Sequence, residues 1–144
     1  MSAPASILLV DDSSDDVAIA MRALRRAGVP AEVHTARSGR EALEVLHLWG
    51  SPADGQPLEP TVIFLDLKMP QVDGFEVLER LRRSERTRAI PVVVMSWSDR
   101  TEDIRRSYEL GANSYLVKRF DRREPGAELV EAASYWMRHD RPAG

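Results

Sequence analysis

The sequence predicts an α/β fold built on a doubly wound parallel sheet, and three observations predict it. Five apolar runs of strand length alternate with five stretches of helical periodicity, the pattern of parallel strands joined by crossover helices. Two of the runs, Ile7-Leu8-Leu9-Val10 and Val62-Ile63-Phe64-Leu65, are continuous rather than alternating, as in strands buried on both faces. Both end in acid, at Asp11-Asp12 and at Asp66, which sets carboxylates at the sheet edge where open α/β folds bind their ligands.

Each element follows from local chemistry. After the first strand, residues 13–16 (SSDD) supply a hydroxyl to cap a helix and acid to suit its dipole. Val17, Ala20, Met21, Leu24 and Ala27 follow at helical spacing, and Gly28 with Pro30 ends the helix. Residues 31–36 (AEVHTA) are a short second strand. Residues 38–41 (SGRE) form a second capping box, opening a helix with Ala42, Leu43, Leu46 and Trp49 on one side. Residues 50–60 shift to glycine, proline and acid and read as a long loop. The third strand stops at Asp66. Met69-Pro70 and Asp73-Gly74 turn the chain, and a helix from Phe75 carries Phe75, Val77, Leu78 and Leu81 inward, leaving Arg80, Arg82 and Arg83 as a solvated basic face. Residues 90–95 are the fourth strand, with Pro91 at its mouth and Ser96 at its end. Residues 99–102 (DRTE) read as a third capping box, before a helix marked on one face by Ile104, Tyr108 and Gly111. Residues 114–117 are the fifth strand, ending at Lys118. The last helix runs from about 123 to 138, with Leu129, Val130, Ala133, Trp136 and Met137 inward.

Composition bounds what such a chain does. Its 144 residues suit one domain over 1–144, with a core over about 5–138 and a frayed tail at 139–144. The formal net charge of −3 gives no footprint for nucleic acid. With no cysteine, disulfides, thiolate metal sites and thiol nucleophiles are excluded. No apolar run reaches membrane-spanning length, and the first residues lack the basic start of a secretory signal, so the cytoplasm is the expected location.

Right-handed crossovers and the flavodoxin-like strand order 2-1-3-4-5 set the first and third strands side by side, and Asp11, Asp12 and Asp66 converge. Three carboxylates that close cannot all stay ionised without compensation. Hard oxygen ligands open to water suit Mg2+. Lys118 adds a positive charge and Ser96 a hydroxyl. Together these groups suit transfer of a phosphoryl group to Asp66, its oxygens neutralised by the metal and Lys118. Alone, each feature has an ordinary explanation: Asp11-Asp12 as a helix-start cap, Asp66 as a strand end, Ser96 as a loop hydroxyl. Asp73-Gly74 serves the turn. His34, His47 and His139 show no ligand spacing.

These residues, over about positions 5 to 138, resemble the receiver domain of two-component response regulators. Asp66 falls on the phosphoacceptor within DLKMPQVDG, Asp11-Asp12 on the acidic pair, Ser96 on the switch hydroxyl, Tyr115 on the switch aromatic and Lys118 on the phosphate-contacting lysine. The resemblance implies a metal held by Asp12, Asp66 and the backbone carbonyl of Lys68. VDDSSDDVAIAMRAL, IPVVVMSWSD, YELGANSYLVK and a late Tyr-Trp are similar to small stand-alone receivers that partner phytochrome-type histidine kinases. That implies a sensor histidine kinase of bacteriophytochrome type as donor, a phosphoacceptor rather than an enzyme, and output through partner binding or a homodimer across the fourth helix, fifth strand and fifth helix. Tyr135, off the inward stripe, hints at such self-association.

Two positions depart from the family. Trp97 stands where a small residue is usual, and either roofs the site or faces a partner. Arg119 stands where the family has a proline, usually after a cis bond. The rival readings are a Mg2+-dependent phosphohydrolase, which commonly has an acid where this chain has Lys68, and a receiver fold that no longer signals by phosphate.

Overall fold

The computed structural model describes residues 5–50, 55–121 and 123–139. In chain order the elements are β1 (Ser6–Val10), α1 (Ser14–Arg26), β2 (Glu32–Ala36), α2 (Gly39–Val45), β3 (Val62–Asp66), α3 (Gly74–Arg83), β4 (Val92–Ser96), α4 (Thr101–Glu109), β5 (Ser114–Val117) and α5 (Ala127–His139). The five strands form one parallel sheet in the order β2-β1-β3-β4-β5, as the sequence predicts.

Continuous apolar runs become strands covered on both faces. Leu8 and Val10 of β1 point into one cluster with Leu43, Ile63, Leu65, Leu78 and Leu81. Ile7 and Leu9 point into the other with Leu24, Phe64, Leu129 and Ala133. Helices α1 and α5 therefore cover one face and α2 and α3 the other. β5 is only half-buried along its length.

The local signals succeed unevenly. Ser13 and Ser38 cap α1 and α2, their hydroxyls accepting from the amides of Asp16 and Glu41. Asp73 caps α3 by accepting from the Glu76 amide. The third expected capping box is corrected. α4 starts after Arg100, whose side chain makes no cap bond. The buried residues of α4 are Asp103 and Ser107, whereas Tyr108, on the face marked by Ile104 and Gly111, is 48% exposed. α2 ends at Val45, so Trp49 lies beyond the helix. Its ring is instead flanked by the guanidiniums of Arg40 and Arg80, at 5.4 and 4.9 Å from the centroid.

Arg82 is not part of a solvated face. Its guanidinium donates to the carbonyls of Gly111, Arg88 and Ile90 and to Asn113 Oδ1, at 2.9–3.1 Å. It ties the end of α3 to the segments leading into β4 and β5. The long loop over 50–60 includes residues 51–54, which lie outside the described residues, as does the expected tail from residue 140.

Candidate functional site

The site is assembled by register. Val10 pairs with Leu65 and Leu65 with Val94, so Asp11 and Asp66 leave adjacent strands side by side. Ser96 pairs with Val117, which brings Lys118 up beside the end of β4. One carboxylate oxygen from each of Asp11, Asp12 and Asp66 lies within 4.8 Å of the others. Among the described residues this is the one cluster of acid or histidine side chains so arranged, and the histidines take no part in it.

Gly74 makes the approach of α3 to this edge possible. A Cβ there would stand 2.3 Å from the Asp66 carbonyl oxygen and 2.7 Å from Leu67 Cα. These are backbone atoms that have nowhere to go, so only glycine lets the turn fold back under Asp66.

The Lys118 ammonium is 5% exposed and lies at the centre of the charges. It donates to Asp11 Oδ2 at 2.6 Å and to Asp16 Oδ2 at 2.8 Å, and stands 3.6 Å from Asp66 Oδ1. Burial opposes its charge, but the carboxylates of Asp66, Asp11 and Asp16 more than offset this and raise its pKa. Asp66 shows the opposite imbalance. Its burial, with repulsion from Asp11 and Asp12, outweighs the pull of Lys118 and pushes its carboxyl up to about 7. One ammonium does not neutralise this many acids, and the excess negative charge fits a divalent cation with hard oxygen ligands. The open pocket of about 310 Å³ above Asp66 has room for an ion and a phosphoryl group.

Asp16 is a site residue that the sequence reading treats only as helix-start acid. It is buried, and its Oδ2 accepts from both Lys118 Nζ and Trp97 Nε1, the latter at 3.0 Å. The missed signal is its phase. Asp16, Ala20 and Leu24 form the buried stripe of α1, and an acid on an inward stripe requires a partner. Trp97 lines the same pocket, half exposed, with its ring edge-on to Phe120 at 5.9 Å.

The loop from β4 to α4 centres on Ser98. The buried Ser96 hydroxyl accepts from the Ser98 amide at 3.1 Å. The Ser98 hydroxyl donates to Asp103 Oδ2 at 2.6 Å and accepts from the Arg100 amide. The Ser98 carbonyl accepts from the Tyr115 hydroxyl at 2.7 Å. Asp103, held below the ordinary carboxylate range by the Ser98 hydroxyl and then by Lys68, also pairs with Lys68 Nζ at 3.1 Å. The Lys68 amide in turn bonds Asp66. Asp11, Asp12, Asp66, Lys118 and the Lys68 backbone thus meet in one pocket, with Ser96 and Tyr115 in the loop network beside it. The peptide between Lys118 and Arg119 is trans, as are all others among the described residues.

Comparison with known proteins gives the family and the fold. The response regulator receiver domain family matches residues 7–130. The chain is 40% identical over 141 residues to a probable methanogenesis regulatory protein, FilR2, of Methanothrix harundinacea, covering 98% of this chain and 89% of the relative. It is 33% identical over 134 residues to the response regulator Rcp1 of Synechocystis, covering 93% and 90%. Among solved structures, the Mn2+-bound form of Rcp1 superposes with a TM-score of 0.82 at 32% identity, covering 97% of this chain and all of that one. The bacteriophytochrome response regulator AtBRR gives 0.77 at 35% identity, covering 99% and 98%.

Proposed function

The chain belongs to the response regulator receiver domain family, and from that premise we propose that Asp66 is the residue that accepts the phosphoryl group. As a member it is a phosphoacceptor of two-component signalling, similar to the phytochrome response regulators. The observation that carries the assignment is the shared pocket: Asp66 lies 3.6 Å from a buried ammonium and within 4.8 Å of two further carboxylates.

In this reading a phosphohistidine of a sensor kinase is the donor. An Asp66 carboxylate oxygen attacks phosphorus, a P–O bond forms, the P–N bond breaks, and the histidine nitrogen leaves with the electron pair. Lys118 moves from its carboxylate partners toward the incoming phosphoryl oxygens, exchanging one anion for another. Asp12, Asp66 and the Lys68 carbonyl, with Asp11 beside them, hold Mg2+, which when bound neutralises charge on the phosphoryl group. Ser96 turns its hydroxyl from the Ser98 amide to the phosphoryl group, and Tyr115 follows through Ser98. The kinase is of bacteriophytochrome type, supported by the likeness to Rcp1 and AtBRR. The cytoplasm is the proposed location. A homodimer across α4, β5 and α5 completes the reading, supported by the exposed Tyr108.

Acetyl phosphate with Mg2+, followed by borohydride reduction and peptide mass spectrometry, tests this. Position 66 is expected to be reduced to homoserine, and Asp66→Asn to take no label. Labelling of Asp66→Asn at another aspartate to the wild-type extent would refute the assignment.

A further inference from the structure

Asp16 carries a burden that the transfer step does not use. Its buried Oδ2 is the one atom that touches both Lys118 and Trp97 among the bonds described above. Lys118 makes short bonds to Asp11 and Asp16 and stands off from Asp66 at 3.6 Å. The indole N–H is committed to the same oxygen, so the ring is held at the wall of the pocket over Asp66 by a hydrogen bond to a carboxylate as well as by packing.

We propose that Asp16 is a positioning residue that couples Lys118 to Trp97 and fastens the indole as a lid over phosphorylated Asp66. The inference rests on the reading of Asp66 as phosphoacceptor. A phosphoryl group on Asp66 carries two negative charges and draws Lys118 away from Asp16. The buried Asp16 carboxylate then keeps the Trp97 N–H as its remaining strong donor, and charge-assisted bonds of this kind shorten and strengthen when a competitor leaves. The lid closes when the site is filled. Its consequence is on hydrolysis, in which water attacks phosphorus, the P–O bond to Asp66 breaks, inorganic phosphate leaves and the carboxylate is regenerated. A fastened indole keeps the attacking water out. An outward-facing partner role alone for Trp97 would not require its N–H to be tied to the edge of the pocket.

The test uses the whole chain, labelled with acetyl phosphate and Mg2+ and then freed of donor. Trp97→Phe keeps a ring but loses the N–H; Asp16→Asn keeps the shape of the acceptor but loses its charge. Each is expected to lose phosphate roughly three- to tenfold faster than wild type, and the double variant no faster than the faster single, because both act on one bond, Trp97→Phe deleting it and Asp16→Asn stripping its charge. Asp15→Asn, an exposed acid in the same first turn, controls for the helix dipole and should match wild type. Fluorescence supplies a second readout. With Trp49 and Trp136 replaced by Phe, beryllofluoride and Mg2+ should shield Trp97 from acrylamide, and Asp16→Asn should abolish that shielding. Unchanged phosphate loss and unchanged quenching in both variants would overturn the coupling while leaving Asp66 as acceptor. Wild type that takes no label at position 66 would overturn both.

Discussion

At the scale of the residue, Asp66 is held in an environment that opposes its own charge. Its carboxyl is raised to about 7 in the folded chain from an ordinary 3.8, burial leading and Asp11 and Asp12 adding repulsion. The folded state therefore binds this proton more tightly than the unfolded state does. Its contribution to stability is full below about pH 4 and is lost as pH rises through 7. In chelator at pH 8, Asp66→Asn is expected to be more stable than wild type by about 2–4 kcal/mol, the gap closing toward pH 4. Urea unfolding across that range reads it; a gap independent of pH would contradict the electrostatic account. Asp66, Asp11 and Lys118 were legible in the sequence only as a set: each alone has an ordinary explanation, but charged residues at the ends of three strands converge on one sheet edge. Asp16 was not, because an acid in the first turn of a helix already has an ordinary explanation. Only its phase with Ala20 and Leu24 distinguishes it from the exposed Asp15.

At the scale of the element, the end of α3 separates two arginines that composition treats alike. Arg83 pairs with Glu79 on an exposed face, whereas Arg82 braces backbone carbonyls from two loops. Arg82→Met is expected to destabilise by about 2–3 kcal/mol, since partly buried carbonyls lose a charged donor. Arg83→Ala is expected to stay within about 0.5 kcal/mol of wild type. Equal losses in denaturant midpoint would remove the brace. The basic run RLRR reads as solvated because helical phase places Arg82 only at the margin of the inward stripe. Its partners, Gly111 and Asn113, arrive from nearly thirty residues downstream. The start of α4 eluded the sequence for a related reason. The DRTE pattern offers an acid in the cap box, but α4 starts after Arg100 without a side-chain cap, and the loop before it is bonded through Ser98 to Asp103 and the Arg100 amide.

At the scale of the whole molecule, the parallel sheet and its ligand edge were readable from continuous apolar runs and their acidic ends, while the strand order came from the flavodoxin-like fold and right-handed crossovers. β5 was readable as well, at residues 114–117, but its half-burial and the bonds within its flanking loops were not, because they depend on contacts between distant segments. The proposed metal links the site to global stability. Mg2+ at about ten times its dissociation constant should add about 1.4 kcal/mol to unfolding. Asp12→Asn should weaken that increment, and calorimetric scans with and without the ion measure it; an equal increment in the variant would move the ion elsewhere. The loop after β4 sets how such events spread. Ser98 has its amide engaged by Ser96, its hydroxyl by Asp103 and its carbonyl by Tyr115. One small residue thus joins Ser96, Asp103 and Tyr115, and its hydroxyl also accepts from the Arg100 amide. A shift that releases one branch is expected to loosen the others, so that this edge of the protein would move as a unit rather than bend by degrees.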